Sequence, residues 1–275
     1  MNTVSNQVSI RPLTQGPHFH WFGYYDRIQF DPSGRFVLGN QVEFEGRSPC
    51  VNDRIRVGMI DLDDKDRWIP LGDSTAWCWQ QGCALQWLPC KERILIYNDR
   101  QKDGFCSHVV NTDTNERKTL PHPVYALAPD GKTAVSLDYT RTGRLRPGYG
   151  YAGKDPSKAE FAPEECGIYT VDLESGRGGM IISIEQMSAW DARIKPPPSA
   201  LQWFNHLLCS PGGKRFAFLH RWSEEEGRGR RSTRLCTADF DGRDIRIIYE
   251  GELFSHFYWR DATRILGWAN RPEAG

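Results

Sequence analysis

Residues 207–219 read LLCSPGGKRFAFL, an apolar run, a tight Ser-Pro-Gly-Gly turn and a second apolar run. Proline and glycine in a short connection between two apolar runs predict two antiparallel strands joined by a turn. Together with this stretch, the pattern occurs four times in full and a fifth time in a degenerate form: residues 28–38, 85–97, 125–137, 207–219 and 256–268. Recurrence every few tens of residues predicts a repeat architecture.

Each of the first four repeats continues with two further strand-like segments. In the fourth repeat these are residues 234–238 and 245–249, joined by an Asp-Phe-Asp-Gly turn. Sheets of four antiparallel strands repeated around an axis form a β-propeller. The predicted fold class is therefore all-β: a β-propeller of four-stranded antiparallel blades, with about four and a half blades present. An irregular β-sandwich is the alternative.

The repeats predict one incomplete propeller domain over residues 1–275. Its expected blades are approximately 27–71, 84–120, 124–184, 206–249 and a partial blade at 256–275. Propellers normally close on themselves, and an open one leaves strand edges without partners. We therefore expect an N-terminal fragment of a larger propeller, or a propeller that closes irregularly.

The overall charge argues against some classes of partner. The chain has 35 basic and 35 acidic residues, so its formal net charge is zero. This balance disfavours a nucleic-acid or membrane surface, and the absence of a long apolar run leads us to expect a cytoplasmic protein. Among eight cysteines, Cys78, Cys83 and Cys90 are conceivable metal ligands, although their spacing matches no common zinc pattern.

The long connections are expected on one face of the propeller. The turns between the first and second strands, and between the third and fourth, are short. The connections that reach the opposite face are long, and the longest of them, residues 139–166, is rich in arginine and tyrosine. Long loops on a rigid scaffold are the usual place for binding residues.

Alignment of the repeats on their first turn places His206 and His256 at the same position of consecutive blades. This position opens the innermost strand, which lines the central channel of a propeller. We therefore predict that the two imidazoles converge at the mouth of the channel. The alternative is that the two histidines only fill the channel and that their hydrogen bonds are made within the fold.

Further polar and aromatic residues are expected around this mouth, because the second strands end on the same face. Arginine binds carboxylates through two parallel hydrogen bonds, and aromatic faces suit sugar rings. An anionic small ligand or sugar acid is therefore predicted. The candidates outside the histidine pair are Arg100, Tyr125, Tyr139, Arg141, His220, Arg221, Trp222 and, from the N-terminal stretch, His20.

The chain resembles oligogalacturonate lyases in three segments: residues 203–211 (WFNHLLCSP), 218–222 (FLHRW) and 255–259 (SHFYW). The resemblance implies a seven-bladed propeller of which about two and a half blades are missing from this chain. It also implies cleavage of a uronate-containing glycan by β-elimination. Propeller ulvan lyases are a related possibility, because the segment from Tyr125 to Arg141 resembles their tyrosine and arginine pair.

β-Elimination needs a group that neutralises the uronate carboxylate, a base for the C5 proton and an acid for the leaving oxygen. By the resemblance, His206 is the base and His256 is a ligand of a divalent cation, which is typically Mn²⁺ in that family. The other members of the predicted catalytic set are Arg141, Arg221 and Tyr125. The predicted substrate-binding residues are Arg100, His220, Tyr139, Trp222 and His20. The family's remaining metal ligands lie in later blades.

Two other readings remain open from the sequence. One is a non-catalytic propeller of the Tol type that binds a protein or peptide. The other is a propeller glycan hydrolase that uses paired carboxylates, for which Glu43, Asp99 and Asp138 are candidates without a visible pairing. For the lyase, the expected partner is an anionic oligosaccharide, with no nucleic acid and no membrane.

Overall fold

The computed structural model describes residues 9–102, 104–227 and 230–270. Its strands form antiparallel sheets, each in simple sequence order, so the predicted all-β fold of four-stranded units is confirmed. Four of the sheets have four strands, and a fifth has two. The number of blades in a complete propeller remains a prediction.

The strands are as follows. The first sheet contains β1 (Phe19–Trp21), β2 (Phe36–Val42), β3 (Ile55–Asp61) and β4 (Arg67–Ser74). The second contains β5 (Gln86–Trp87), β6 (Ile94–Gln101), β7 (Gly104–Asn111) and β8 (Arg117–Leu120). The third contains β9 (Ala126–Leu127), β10 (Thr133–Leu137), β11 (Gly167–Asp172) and β12 (Gly178–Ser183). The fourth contains β13 (Leu201–Cys209), β14 (Arg215–Ser223), β15 (Ser232–Asp239) and β16 (Arg246–Gly251), and the fifth contains β17 (Phe254–Trp259) and β18 (Ile265–Ala269).

The core lies between neighbouring sheets. Strand β14 is buried at every position from Phe216 to Ser223, because both faces of its sheet are covered. Phe216 and Phe218 pack against Ile168 of the third sheet in one continuous apolar cluster. Full burial of such a side chain contributes about 1.5–3 kcal/mol. This packing makes a rigid scaffold for the connections above it.

The first blade begins earlier than the sequence predicts. Residues 28–30 were the expected innermost strand, but β1 takes that place and pairs with β2. Phe30 forms only an isolated bridge with Val37. Between β1 and residue 28, the side chains of residues 24–27 contact other sheets, as described below.

Two short helices interrupt connections that the sequence suggested were irregular. Helix α1 (Tyr139–Leu145) begins after Asp138, whose carboxylate accepts a hydrogen bond from the backbone N–H of Arg141 at 2.9 Å. Helix α2 (Ile184–Ala189) begins after Ser183, which caps it in the same way. In the described part of the chain, no helix has the length and apolar character needed to cross a membrane.

Candidate functional site

Four consecutive residues, Tyr24 to Arg27, connect the sheets near the axis, and we call them the axial segment. The Tyr24 hydroxyl lies 3.2 Å from His256 Nε2, and the Asp26 carboxylate lies 3.4 Å from His206 Nε2. Arg27 Nη1 donates to Gln86 Oε1 at 2.9 Å in the second sheet. The segment therefore contacts the second, fourth and fifth sheets.

His206 and His256 both sit at irregularities of the innermost strands. The register shifts between Asn205 and Leu208 in β13, and between Ser255 and Phe257 in β17. Each histidine has a positive φ, 54° and 46°, which side-chain-bearing residues rarely adopt. Such bulges re-aim a side chain.

The two imidazoles meet the same pair of tyrosines. The Tyr25 ring centroid lies 5.4 Å from that of His206 and 5.2 Å from that of His256. The Tyr24 ring lies 5.4 Å from His206 and 6.0 Å from His256. The structure thus brings together the two histidines that the repeat alignment placed in register, and the axial segment lies against both.

A cavity of about 270 Å³ adjoins His206 and is strongly cationic. Its lining includes Tyr24, Tyr149, Asn205, Arg146, Arg221, Arg230 and Arg231. Arg230 forms an ion pair with Glu252 at the rim. Within the part of the chain that the structure describes, the other three arginines have no carboxylate partner.

Arg221 is the most buried of these arginines, at 6 % exposure. It donates at 2.8 Å to the carbonyl of Phe254 and, at the longer distance of 3.5 Å, to Asn205 Oδ1, and its Nε has no partner among the described residues. Burial, together with the like charges of Arg146 and Arg231, lowers the pKa of Arg221 to about 10. Uncompensated guanidinium charge of this kind favours an anionic ligand.

In the axial segment, the two tyrosine hydroxyls are protonated at neutral pH and the Asp26 carboxyl group is ionised. Burial raises the pKa of Tyr24 and of Tyr25, so both hydroxyls keep their protons at neutral pH. Burial also acts to raise the pKa of Asp26, but the Arg27 charge and the hydrogen bond from His206 outweigh it, so the pKa is lowered. Asp26 is therefore a buried carboxylate.

Arg141 does not lie in this site, which corrects the prediction of a catalytic role there. Its side chain is 1 % exposed and donates to four backbone carbonyls, those of Ser157, Glu160, Phe161 and Gln202, at 2.7–3.0 Å. The physical reason is helix α1, which turns Arg141 beneath the long connection. Arg141 therefore holds this connection in place.

Tyr125 and Tyr139 are also inside the fold. Their side chains are each 1 % exposed and neither lines the cationic cavity. Tyr139 donates to the carbonyl of Val124 at 2.6 Å and stacks on Tyr151 at a centroid distance of 4.0 Å. The predicted catalytic position of Tyr125 and the predicted binding position of Tyr139 are thus corrected to a buried aromatic stack.

The remaining predicted binding residues lie away from the cavity. His220 is fully buried beside Gln202 at 3.0 Å, and burial, with a smaller effect of Arg234, lowers its pKa to about 3. Trp222 is buried beneath the guanidinium of Arg234. Arg100 donates to the carbonyl of Ala152, and His20 is hydrogen-bonded to Gln41.

Two of the carboxylates considered under the glycan hydrolase hypothesis, Asp99 and Asp138, have structural partners. Asp99 accepts a hydrogen bond from the backbone of Thr75 at 2.8 Å and lies 3.5 Å from His108. Asp138 caps helix α1. These contacts explain both carboxylates without a catalytic pair.

Several residues of the site were missed in the sequence, although two signals were present. Tyr24 and Asp26 belong to the segment GYYDR at residues 23–27, directly before the predicted first strand. Arg146 and Tyr149 belong to the arginine- and tyrosine-rich connection 139–166. What the sequence did not supply was the contact of both segments with the fourth sheet.

The residues around the axial segment do not by themselves make a metal centre. In residues 9–102, 104–227 and 230–270, no three His, Cys, Asp or Glu side chains gather as a metal-binding group. The His256 nitrogens face Ser255 Oγ at 3.0 Å and the Tyr24 hydroxyl at 3.2 Å. Burial raises the pKa of Cys78 to about 12, so it is a thiol and not a ready ligand.

No protein-family model matches the chain, and no curated protein matches it. Among solved structures, it is similar to an oligogalacturonate lyase in complex with manganese, with 16 % identity and a TM-score of 0.58 over 92 % of this chain and 60 % of that chain. An oligogalacturonate lyase from Vibrio parahaemolyticus gives 16 % identity and a TM-score of 0.55 over 94 % of this chain and 62 % of that chain.

The chain therefore spans about 60 % of the length of these lyases. TolB from Acinetobacter baumannii is similar at 11 % identity and a TM-score of 0.47, over 88 % of this chain and 46 % of that chain. At these identities the similarity to the two lyases shows the fold alone. The fold is that of a β-propeller.

Proposed function

We propose that the chain acts as a lyase on a uronate-containing oligosaccharide, of the oligogalacturonate kind, by β-elimination. One observation carries the proposal: His206 lies at the wall of a small cavity where Arg146, Arg221 and Arg231 have no acidic partner among the described residues. A base beside an excess of positive charge suits the removal of a proton next to a carboxylate.

The arginines supply charge neutralisation. The C5 proton of a uronate is weakly acidic, and its removal places negative charge on the adjacent carboxylate. Arg221, with Arg146 and Arg231 beside it, would bind this carboxylate and stabilise the charge that develops on it. Fixed donors in a partly closed cavity are worth more than the same donors in water.

The proton transfers fall to His206 and Tyr24. His206 takes the C5 proton, the electron pair of the C5–H bond becomes the C4–C5 double bond, and the C4–O4 bond breaks. Tyr24 lines the cavity and, because burial raises its pKa, holds a proton for the leaving O4. These roles account for the proton removed and the proton returned.

A divalent cation would supply further neutralisation of the carboxylate when bound. His256 is the ligand that the resemblance suggests, and the described residues do not complete a set around it. We therefore assign no step to a metal. In the proposed reaction, His256 interacts with the Tyr24 hydroxyl at 3.2 Å.

The test is an assay with oligogalacturonate, with and without added Mn²⁺, that follows the ultraviolet absorbance of the unsaturated uronate product. We expect a rise that disappears in His206→Ala and persists in the matched control His108→Gln, whose side chain binds Thr119 in the second sheet. A protein that neither binds nor cleaves any uronate would contradict the proposal. That outcome would favour the Tol-type binding module.

A further inference from the structure

We propose that Asp26 is a positioning residue that holds His206 with its proton on Nε2, so that Nδ1 is the atom that takes the substrate proton. The assignment of the tautomer stands on geometry alone. The role of Nδ1 in the reaction rests on the proposed function.

The hydroxyl of Tyr25 provides the first step. It donates to the carbonyl of Phe257 at 3.0 Å and accepts from the backbone N–H of Phe257 at 2.7 Å. A hydroxyl has one hydrogen to donate. With that hydrogen directed to the nearer Phe257 carbonyl, the hydroxyl presents a lone pair to His206 Nε2, which lies 3.4 Å away.

Asp26 is the second neighbour of the same nitrogen, with Oδ2 3.4 Å from His206 Nε2. An ionised carboxylate accepts hydrogen bonds and donates none. The two polar groups that face Nε2 are thus both acceptors, so in the neutral ring Nε2 carries the hydrogen. Nδ1 has the lone pair, and the imidazole lines the arginine cavity.

Arg27 places a positive charge beside the carboxylate without a hydrogen bond to it. Its Nε lies 3.9 Å from Asp26 Oδ1, while its Nη1 donates to Gln86 Oε1 at 2.9 Å and to the carbonyl of Tyr125 at 2.5 Å. Arg27 is thereby bound to the second sheet and to the start of the third, so its charge is fixed next to Asp26, whereas His206 belongs to the fourth sheet. His206 has a positive φ, and such a strained conformation persists only when surrounding contacts stabilise it.

The experiment is ¹⁵N NMR of the full chain labelled in histidine, read without substrate, together with the steady-state kinetics. In the wild type we expect a protonated Nε2 and an unprotonated Nδ1. In Asp26→Asn the amide can donate to Nε2, so the tautomers mix. We expect kcat to fall about 10–100-fold, while KM changes much less, as for other groups that orient a reacting ligand.

Asp26→Glu keeps a carboxylate and should restore the Nε2–H signature in part, which covers the case that Asp26→Asn does not fold. The matched control is Asp31→Asn. The Asp31 carboxylate accepts from the Phe36 backbone at 2.7 Å and from Ser33, away from the histidine. It should leave the His206 spectrum and kcat unchanged.

Two results would overturn the proposal: a wild-type His206 with its proton on Nδ1, or an Asp26→Asn variant with unchanged tautomer and kcat. The predicted tautomer in a chain without lyase activity would instead reject the proposed function and retain the positioning contact. The two failures are therefore distinguishable.

Discussion

Arg141 and Arg221 are both buried arginines, yet their surroundings are opposite. Arg141 donates to four backbone carbonyls and lies 3.7 Å from Asp155. Arg221 donates to the carbonyl of Phe254 at 2.8 Å and to Asn205 Oδ1 at 3.5 Å, leaves Nε without a partner among the described residues, and faces like charges. Burial alone therefore does not distinguish these two arginines. The number of bonded donors and the charges beside each guanidinium do.

The histidines show the same contrast. His220 is fully buried beside Gln202, where burial lowers its pKa to about 3 and keeps it neutral. His206 contacts a carboxylate and a hydroxyl through one nitrogen, and its ring lines a cavity. The interior of the fourth sheet is thus polar for structural reasons, and the axial site is polar in a way that leaves room for a ligand.

Removal of the proposed base should have the largest effect. We expect His206→Ala to lower kcat on oligogalacturonate by about 10²–10⁴-fold, as is usual for a general base. His220→Gln should lower kcat far less, because His220 does not line the cavity and its imidazole is used in a hydrogen bond to Gln202. The measurement is product absorbance. An equal fall of kcat in the two variants would contradict the assignment of His206, and not His220, to the site.

The two arginines should separate stability from binding. Arg141→Met leaves four carbonyls without their donor, so we expect the free energy of unfolding to fall by at least about 3 kcal/mol. Arg221→Met removes a charge that the folded state disfavours, so the free energy of unfolding should not fall while uronate binding weakens. Urea denaturation of both variants checks this, and a larger loss in Arg221→Met would contradict it.

The sign of the Arg221 effect follows from its pKa. Burial and like charges lower this pKa from the usual value of an arginine to about 10 in the folded protein. The unfolded chain therefore binds more protons between these values, and stability rises with pH across that window. Below about pH 10 the unfavourable charge is fully present, which is the condition of the denaturation experiment.

His220 should make the free energy of unfolding fall as the pH is lowered below neutrality. Its pKa is lowered from 6.5 to about 3, chiefly by burial, so the neutral form is favoured in the folded state. The contribution is present above pH 6.5 and is lost as the pH falls towards about 3. We expect the free energy of unfolding to fall less between pH 7 and pH 4.5 in His220→Gln than in the wild type, in paired urea titrations. An identical fall would contradict the assignment.

The rim ion pair should matter least. Arg230 and Glu252 form a largely exposed pair, with side-chain exposures of 81 % and 56 %. Such pairs are worth about 0–1 kcal/mol, so Arg230→Gln should change uronate affinity by less than about fivefold. Arg231→Gln, which removes an arginine with no described acidic partner, should weaken it more. Titration calorimetry checks this. A larger loss of affinity in Arg230→Gln than in Arg231→Gln would indicate that Arg230, at the rim, is the arginine that binds the uronate.

The sequence predicted the features that depend on local chemistry. Pro- and Gly-containing turns between apolar runs identified the propeller, and the same turns set the alignment that paired His206 with His256. The role of Arg141 could not be predicted from the sequence. Helix α1 directs this side chain towards carbonyls of residues 157–161 and 202, which are distant in the chain. The sequence pointed to the N-terminal stretch that ends at Asp26 and to Tyr25 within it, but the roles of Tyr24 and Asp26 were missed, since their partners lie in distant sheets.

The most direct test of the account is calorimetric titration of the protein with oligogalacturonate at low salt. We predict binding that Arg221→Met weakens by about 10–100-fold, the value of a charge-assisted hydrogen bond in a desolvated cavity. Arg54→Gln, which alters an exposed arginine directly before β3, should leave the affinity unchanged. Equal affinity in the wild type and in Arg221→Met would contradict the claim that the axial cavity is the binding site.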